Sequence, residues 1–386
     1  MGISGIIAEF NPLHNGHKYL IDKAKNDGNT VICVISGNFV QRGDTAIIPK
    51  FARAEMALLS GADIVAELPT PWAMSTAQNF AFGAVSQLLS LGIDTLYFGS
   101  ESADTDKLFK VANVLNSNEY NNRISLAKNK NATFASIRNE IVSDILGFES
   151  EILNSPNDTL AVEYICAAQK LGANIKFIPV KRVGAGHNDT NSYGGFTNAT
   201  LLRQAILNGD FEYIKHYMPE NCVNLLLNSP ISDINKLDTA IISRLKLLNK
   251  EDLISIPDLS EGIENLLYNK IRTVNNMQSL LSELKSKRYT LARIRRLVLS
   301  AFLGIDKKYF LAEPPYVRIL GFKENAMSLI NTNSKPIITK VSHIKQLDLK
   351  SQELFELENK VNEIYALSLH KSEKFTNEYK QKIIKK

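Results

Sequence analysis

The feature that most constrains this chain is the stretch Ile6–Leu20, IIAEFNPLHNGHKYL. The apolar run Ile3–Ala8 reads as a buried strand, Asn11-Pro12 breaks it, and Lys18–Lys25 continues at helical spacing. A strand therefore feeds a turn, and the turn opens a helix. That spacing places His14 and His17, at i and i+3, near one face of the first helical turn. Unpaired backbone N–H groups and the positive end of the helix dipole lie there, which makes an anion site. Gly16 leaves room for a phosphate or an adenine to approach the backbone. The physical reading is a nucleotide phosphate site with His14 and His17 as its catalytic donors. Two other readings stay open on these residues alone. One is a zinc pair, for which Glu9 is the only close third candidate. The other is a pair of ordinary surface histidines.

The pattern that follows predicts an α/β fold. Thr30–Ser36, Asp63–Leu68, Asp94–Phe98 and Ala173–Val180 read as strands, alternating with helices over Lys50–Ser60, Ser75–Leu91 and Thr159–Leu171. TVICVIS is apolar on both faces, as in a strand of a parallel sheet covered on both sides. Ligands of such sheets bind beyond the carboxyl ends of the strands, where His14, Ser36–Asn38 and Gly99 all fall. Asp104–Gly147 reads as helices, an insertion of about residues 104–150 beside the sheet. From Glu220 onward the rhythm is helical. At 386 residues the chain exceeds one typical core. The expected division is a nucleotide-binding domain over 1–212 and a mostly α-helical, basic region over 213–386.

Composition excludes some classes. No apolar run approaches a membrane span, and the amino terminus enters a strand with no basic-then-apolar signal. Cys33, Cys166 and Cys222 are widely spaced, which suggests reduced thiols in a cytoplasmic protein. The net charge of +5 hints at a polyanionic partner once it is localised. It is localised in Lys285–Arg296, KSKRYTLARIRR, which holds Lys285, Lys287, Arg288, Arg293, Arg295 and Arg296 and no acid. Thr290 can cap a helix that presents Arg293 and Arg296 one turn apart, with Tyr289 nearby, a pattern suited to an RNA backbone. A solvated helix face is the alternative, and the tail Glu353–Lys386 reads as a helix that ends in lysines.

His14-Asn15-Gly16-His17 resembles the HIGH signature of the nucleotidylyltransferase superfamily. FNPLHNGH, together with SGNFVQRG and RAEMALLSGADIVAELP, resembles more closely the bacterial tRNA(Met) cytidine acetate ligases, a likeness densest in the first 210 residues. The resemblance implies a Rossmann-like HIGH nucleotidylyltransferase domain with a parallel sheet. It implies ATP contacts from Ile7, Ala8, Glu9, Phe10, Asn11, Pro12, Leu13, His14, Asn15, Gly16, His17, Lys18, Tyr19 and Leu20. Gly99, Asn157 and Arg182 enter the set by the same resemblance; alone, Asn157 reads as a helix cap and Arg182 as a surface cation. Phe196–Arg203 resembles the second phosphate element of the superfamily, with Thr197 and Asn198 where serines are usual. Thr200 and Arg203 would reach the β and γ phosphates, and Asn198 would cap the helix.

The implied reaction is ATP-dependent. Acetate becomes acetyl-adenylate, and N4 of the wobble cytidine of elongator tRNA(Met) takes the acetyl group. Mg²⁺ accompanies ATP in such sites, although no dedicated metal cage is visible. The Ser36–Asn38 loop is the expected lining of the acetate pocket. DNA is not an expected partner. Two alternatives remain: a small-molecule adenylyltransferase, and a non-catalytic ATP-sensing RNA-binding protein.

Overall fold

The computed structural model describes residues 2–127, 132–182, 195–259, 262–286, 289–326, 334–371 and 377–386. The glycine-containing stretch 183–189, and Lys287 and Arg288, lie outside the described residues.

In chain order the first half runs β1 (Ile3–Ala8), α1 (Asn15–Asn26), β2 (Thr30–Ser36), β3 (Phe39–Val40), β4 (Asp44–Thr45), α2 (Lys50–Leu59), β5 (Ile64–Leu68), α3 (Thr70–Ala73), α4 (Ala77–Ser90) and β6 (Thr95–Ser100). The insertion helices are α5 (Thr105–Leu115), α6 (Asn118–Leu126) and α7 (Phe134–Leu146); α8 (Pro156–Lys170) then leads to β7 (Lys176–Lys181). Helices α9 (Ala199–Asn208), α10 (Phe211–Tyr217), α11 (Glu220–Asn228), α12 (Asp238–Lys246), α13 (Lys250–Ile254), α14 (Ile263–Thr273), α15 (Met277–Leu284) and α16 (Leu291–Leu303) follow. The chain closes with β8 (Val317–Phe322), β9 (Ile337–Ile338), α17 (Leu349–Ala366) and β10 (Ile384–Lys385).

The main sheet has the order β10-β8-β5-β2-β1-β6-β7, with β9 beside β8. β1 pairs in parallel with β2 and β6, β2 with β5, and β6 with β7. Strand side chains alternate between its two faces. Ile7, Ile32, Val34, Ile64, Leu96 and Phe98 enter one core with α4 and α8. Ile6, Val31, Cys33, Ile35, Val65 and Tyr97 enter the other with residues of α1 and α2. Covering both faces with helices explains why these strands are apolar throughout.

The expected boundary at 212/213 does not separate the sheet from the helices. β8 runs antiparallel along β5, with Ile64 opposite Phe322 and Glu67 opposite Arg318, and β10 pairs with β8. Without β8, the β5 edge would present unpaired backbone groups. The tail also departs from expectation. α17 ends at Ala366, well before the terminal lysines, and buries Leu354, Phe355, Val361 and Tyr365, while Ile384–Lys385 form the short strand β10. No described helix is long and apolar enough to cross a membrane. All three cysteines are buried and unpaired with one another.

Candidate active site

The turn after β1 leads directly into α1, and the two histidines cap each other's turn. His14 is the N-cap; its Nδ1 accepts from the Gly16 N–H at 3.1 Å, while the His14 N–H donates to Nδ1 of His17 at 3.3 Å. This is a capping box built from imidazoles in place of the usual hydroxyl and carboxylate. With both Nδ1 atoms accepting, the ring proton of each histidine sits on Nε2. The rings stack at 3.8 Å, and Phe10 meets His17 edge-on at 5.0 Å. Burial, with Arg182 and Arg203 adding their charge, lowers the His14 pKa to about 3. Burial, then His14 and Arg182, hold His17 well below its ordinary value. The site therefore offers two neutral N–H donors, not two imidazolium ions.

These rings line a cavity of about 250 Å³ at the carboxyl ends of β1, β6 and β7. Its cationic side is formed by Arg42, Arg182 and Arg203. Arg203 donates to the Asn11 carbonyl at 2.8 Å and to Thr200 Oγ1 at 3.1 Å; Arg42 donates to the same hydroxyl at 3.3 Å. Asn198 caps α9 by accepting from the Thr200 and Leu201 N–H groups. Burial lowers the Arg203 pKa, while Glu9 and Asp44 oppose that shift. Opposite, Arg182 donates to Asn157 Oδ1 at 3.4 Å, and Asn157 Nδ2 donates to Glu101 Oε1 at 2.5 Å. Gly99 lies under the Arg182 chain: a Cβ there would come within 3.5 Å of it. Ile7, Leu20, Phe80, Phe98, Leu160 and Tyr164 complete an apolar wall. Thus Gly99, Asn157, Arg182, Thr200 and Arg203 converge on the two histidines.

The amino-terminal stretch is not a continuous lining. Ile7, Ala8, Glu9, Phe10, Asn11, His14, Gly16, His17, Tyr19 and Leu20 face the cavity, whereas Pro12, Leu13, Asn15 and Lys18 do not. Leu13 belongs to the core, Lys18 pairs with Asp22, and Asn15 ties the turn to the carbonyls of Gly195 and His216. In α1, helical periodicity turns Asn15 and Lys18 away from the cavity. The Ser36–Asn38 loop does not line the cavity either. The Ser36 and Gly37 carbonyls accept from Arg53, and Asn38 is spent on Lys50 and Asn362.

Three residues outside the expected set matter. Gln41 and Arg42, at the tip of the β3–β4 hairpin, line the cavity, and the Gln41 N–H donates to Glu9 at 3.0 Å. The block SGNFVQRG signalled this loop without saying which side chains turn inward. Arg53 is fully buried and donates to the carbonyls of Glu9, Ser36 and Ile48, fixing the ends of β1 and β2. Burial lowers its pKa to about 10.

Among the described residues, the basic segment is only in part a solvated face. Arg293 and Arg296 both approach Asp258, at 3.6 and 3.3 Å, and Arg296 also donates to the Gln41 carbonyl at 3.3 Å. Tyr289 is buried against Arg293, so it offers no open ring for a base. Thr290 does cap α16. Lys285 remains exposed and Arg295 half-buried. Gly43 (φ +71°) packs against α16 so closely that a Cβ would lie 2.6 Å from that of Arg295. Part of the charge therefore docks the helices onto the active-site hairpin.

The signature of the HIGH Nucleotidyl Transferase family matches residues 1–382. The tRNA(Met) cytidine acetate ligase of Caldanaerobacter subterraneus subsp. tengcongensis is 38% identical over 380 residues, 94% of each chain. That of Thermosipho africanus is 37% identical over 365 residues, covering 89% of this chain and 85% of the relative. Among solved structures, Thermotoga maritima TmcAL in its apo form superposes with a TM-score of 0.92 at 32% identity, over 100% of this chain and 99% of that one. The same protein bound with alpha-thio ATP gives 0.90 at 31% identity, with complete coverage of both chains.

Proposed function

The chain belongs to the HIGH nucleotidyl transferases and, within them, to the tRNA(Met) cytidine acetate ligases, and on that premise we propose how its residues carry the reaction. ATP occupies the cavity, with its adenine against the apolar wall at Phe98 and Tyr164 and its phosphates between the histidines and the arginines. An acetate oxygen attacks the α phosphorus and pyrophosphate leaves. The exocyclic N4 of the wobble cytidine of elongator tRNA(Met) then attacks the acetyl carbon. AMP leaves, the amine loses one proton, and N4-acetylcytidine results.

The observation that carries this reading is the reciprocal His14–His17 cap inside a ring of arginines. It presents two neutral Nε2–H donors that need no reorganisation as charge builds on the phosphate. Arg42, Thr200 and Arg203 hold the β and γ phosphates, and Arg182, steadied by Asn157, faces them. Positioning supplies the remainder, since adenylyl transfer asks for little covalent chemistry from the protein. Among the described residues, Glu9 is the one carboxylate in the lining, and no group of three His, Cys, Asp or Glu suited to a metal occurs. Lys285 and Arg295 are the remaining described cations of the basic segment suited to the RNA backbone, and a cytoplasmic site of action fits such a partner.

Acetate-dependent exchange of labelled pyrophosphate into ATP tests the activation step. The wild type supports exchange only with acetate, and His17→Ala abolishes it while tRNA affinity stays unchanged. Exchange by the wild type that ignores acetate would favour a small-molecule adenylyltransferase.

A further inference from the structure

A second cavity, of about 560 Å³, uses the same hairpin as a wall but shares no lining residue with the nucleotide pocket. Gln41 and Arg42 face the nucleotide; Gly43 and Asp44, the next two residues, face this cleft. Its opposite side is α15 and the start of α16. Gln278, Ser282 and Lys285 fall at i, i+4 and i+7, on one face of α15 and its C-cap, and all three are exposed. Met277, Leu281 and Leu291 also line it, as does Asp238, whose carboxylate accepts from the Met277 N–H. Arg295 projects from α16 and acts electrostatically on Asp44, yet no acid lies within ion-pair distance of it among the described residues.

We propose that this cleft seats one nucleotide of the RNA substrate, its phosphate on Arg295 and Lys285 and its base against Leu281 and Leu291; this rests on the RNA reading given above. The chemistry fits each part of a nucleotide. Two cations suit a phosphodiester, and the amide and hydroxyl of Gln278 and Ser282 suit the polar edge of a base. The aliphatic floor suits the base's face. The volume lies within the range of about 300–1,000 Å³ usual for ligand sites. Single-stranded RNA is read by such splayed-out bases. The location adds a reason: an RNA held here lies one hairpin away from the activated acyl group. Half-buried Asp44 feels the charge of both Arg295 and Arg203, on the two sides of the hairpin.

The test is fluorescence anisotropy of labelled tRNA(Met) transcript on the full-length protein at physiological salt. Ser282→Trp fills the cleft and weakens binding on the order of tenfold. Gln278→Ala, which removes one polar partner, weakens it about threefold to fivefold. Acetate-dependent pyrophosphate exchange stays at the wild-type rate in both, which reports an intact fold and nucleotide site. Wild-type RNA affinity in both variants overturns the proposal. So does equally tight binding of free CMP that leaves tRNA affinity untouched, which would make the cleft a small-molecule site. If the wild type forms no acetylcytidine while RNA affinity still follows these two variants, the reading of the reaction falls and the cleft stands.

Discussion

Two imidazoles that accept backbone hydrogen bonds through Nδ1 cannot be protonated there, and this ties the helix start to pH. The folded-state pKa of His14 lies at about 3, below the ordinary 6.5, chiefly because the ring is buried. His17 is shifted in the same direction. A group with a depressed folded pKa binds its proton more readily when unfolded. Its stability is fully present above pH 6.5 and is lost as pH falls from there towards the folded value. The thermal midpoint of the wild type is therefore expected to fall as pH drops below 6.5. His14→Asn retains an N-cap acceptor and removes one titrating ring, so its acid-side decline is shallower. Parallel declines in calorimetric scans of the two proteins would contradict this. The HxGH spacing was enough to place both rings on one turn. It did not show that they cap each other, because tautomer and capping geometry depend on the turn from Phe10 to Leu13 (Phe10 has φ +47°).

At the scale of elements, strands β1, β2, β5 and β6 were legible because both faces are largely buried, and the edge strand β7 because a short apolar run follows a capped helix. The hairpin was not, since its strands are two residues each and its partners, α16 and α9, come from distant sequence. β8 was hidden for a different reason: VRILGF carries Arg318, whose place in the sheet makes sense only beside distant acids. Arg318 faces Glu67 at 3.7 Å and Glu378 at 2.5 Å, and Lys50 contacts the same two carboxylates. Burial opposes the Lys50 charge, but Glu378 and Glu67 outweigh it and keep its pKa above the ordinary value. This network clasps the tail to the start of α2. Glu378→Gln leaves two buried cations short of one compensating charge, at a cost of about 3 kcal/mol in urea unfolding. An unchanged midpoint would mean the clasp contributes nothing.

On the scale of the whole molecule, the expected two-part division is replaced by a chain whose carboxyl end returns to finish the sheet. The change from alternating strands and helices to a helical rhythm near residue 212 is real, but hydrogen bonding across β5 and β8 crosses it. A fragment ending at residue 212 lacks β8, Arg318 and Glu378, so Lys50 and Glu67 lose partners and the β5 edge is bare. It is expected to show no cooperative thermal transition by circular dichroism, and a sharp transition with intact pyrophosphate exchange would restore the simple division. The same architecture places the helical region and the nucleotide pocket on one hairpin, where acyl activation and RNA modification would meet. The most direct measurement of that claim incubates the full-length protein with ATP, acetate and tRNA(Met), then analyses digested nucleosides by mass spectrometry. N4-acetylcytidine is expected only when all three are present, at the wobble position; its absence under conditions of active acetate-dependent pyrophosphate exchange would contradict the account.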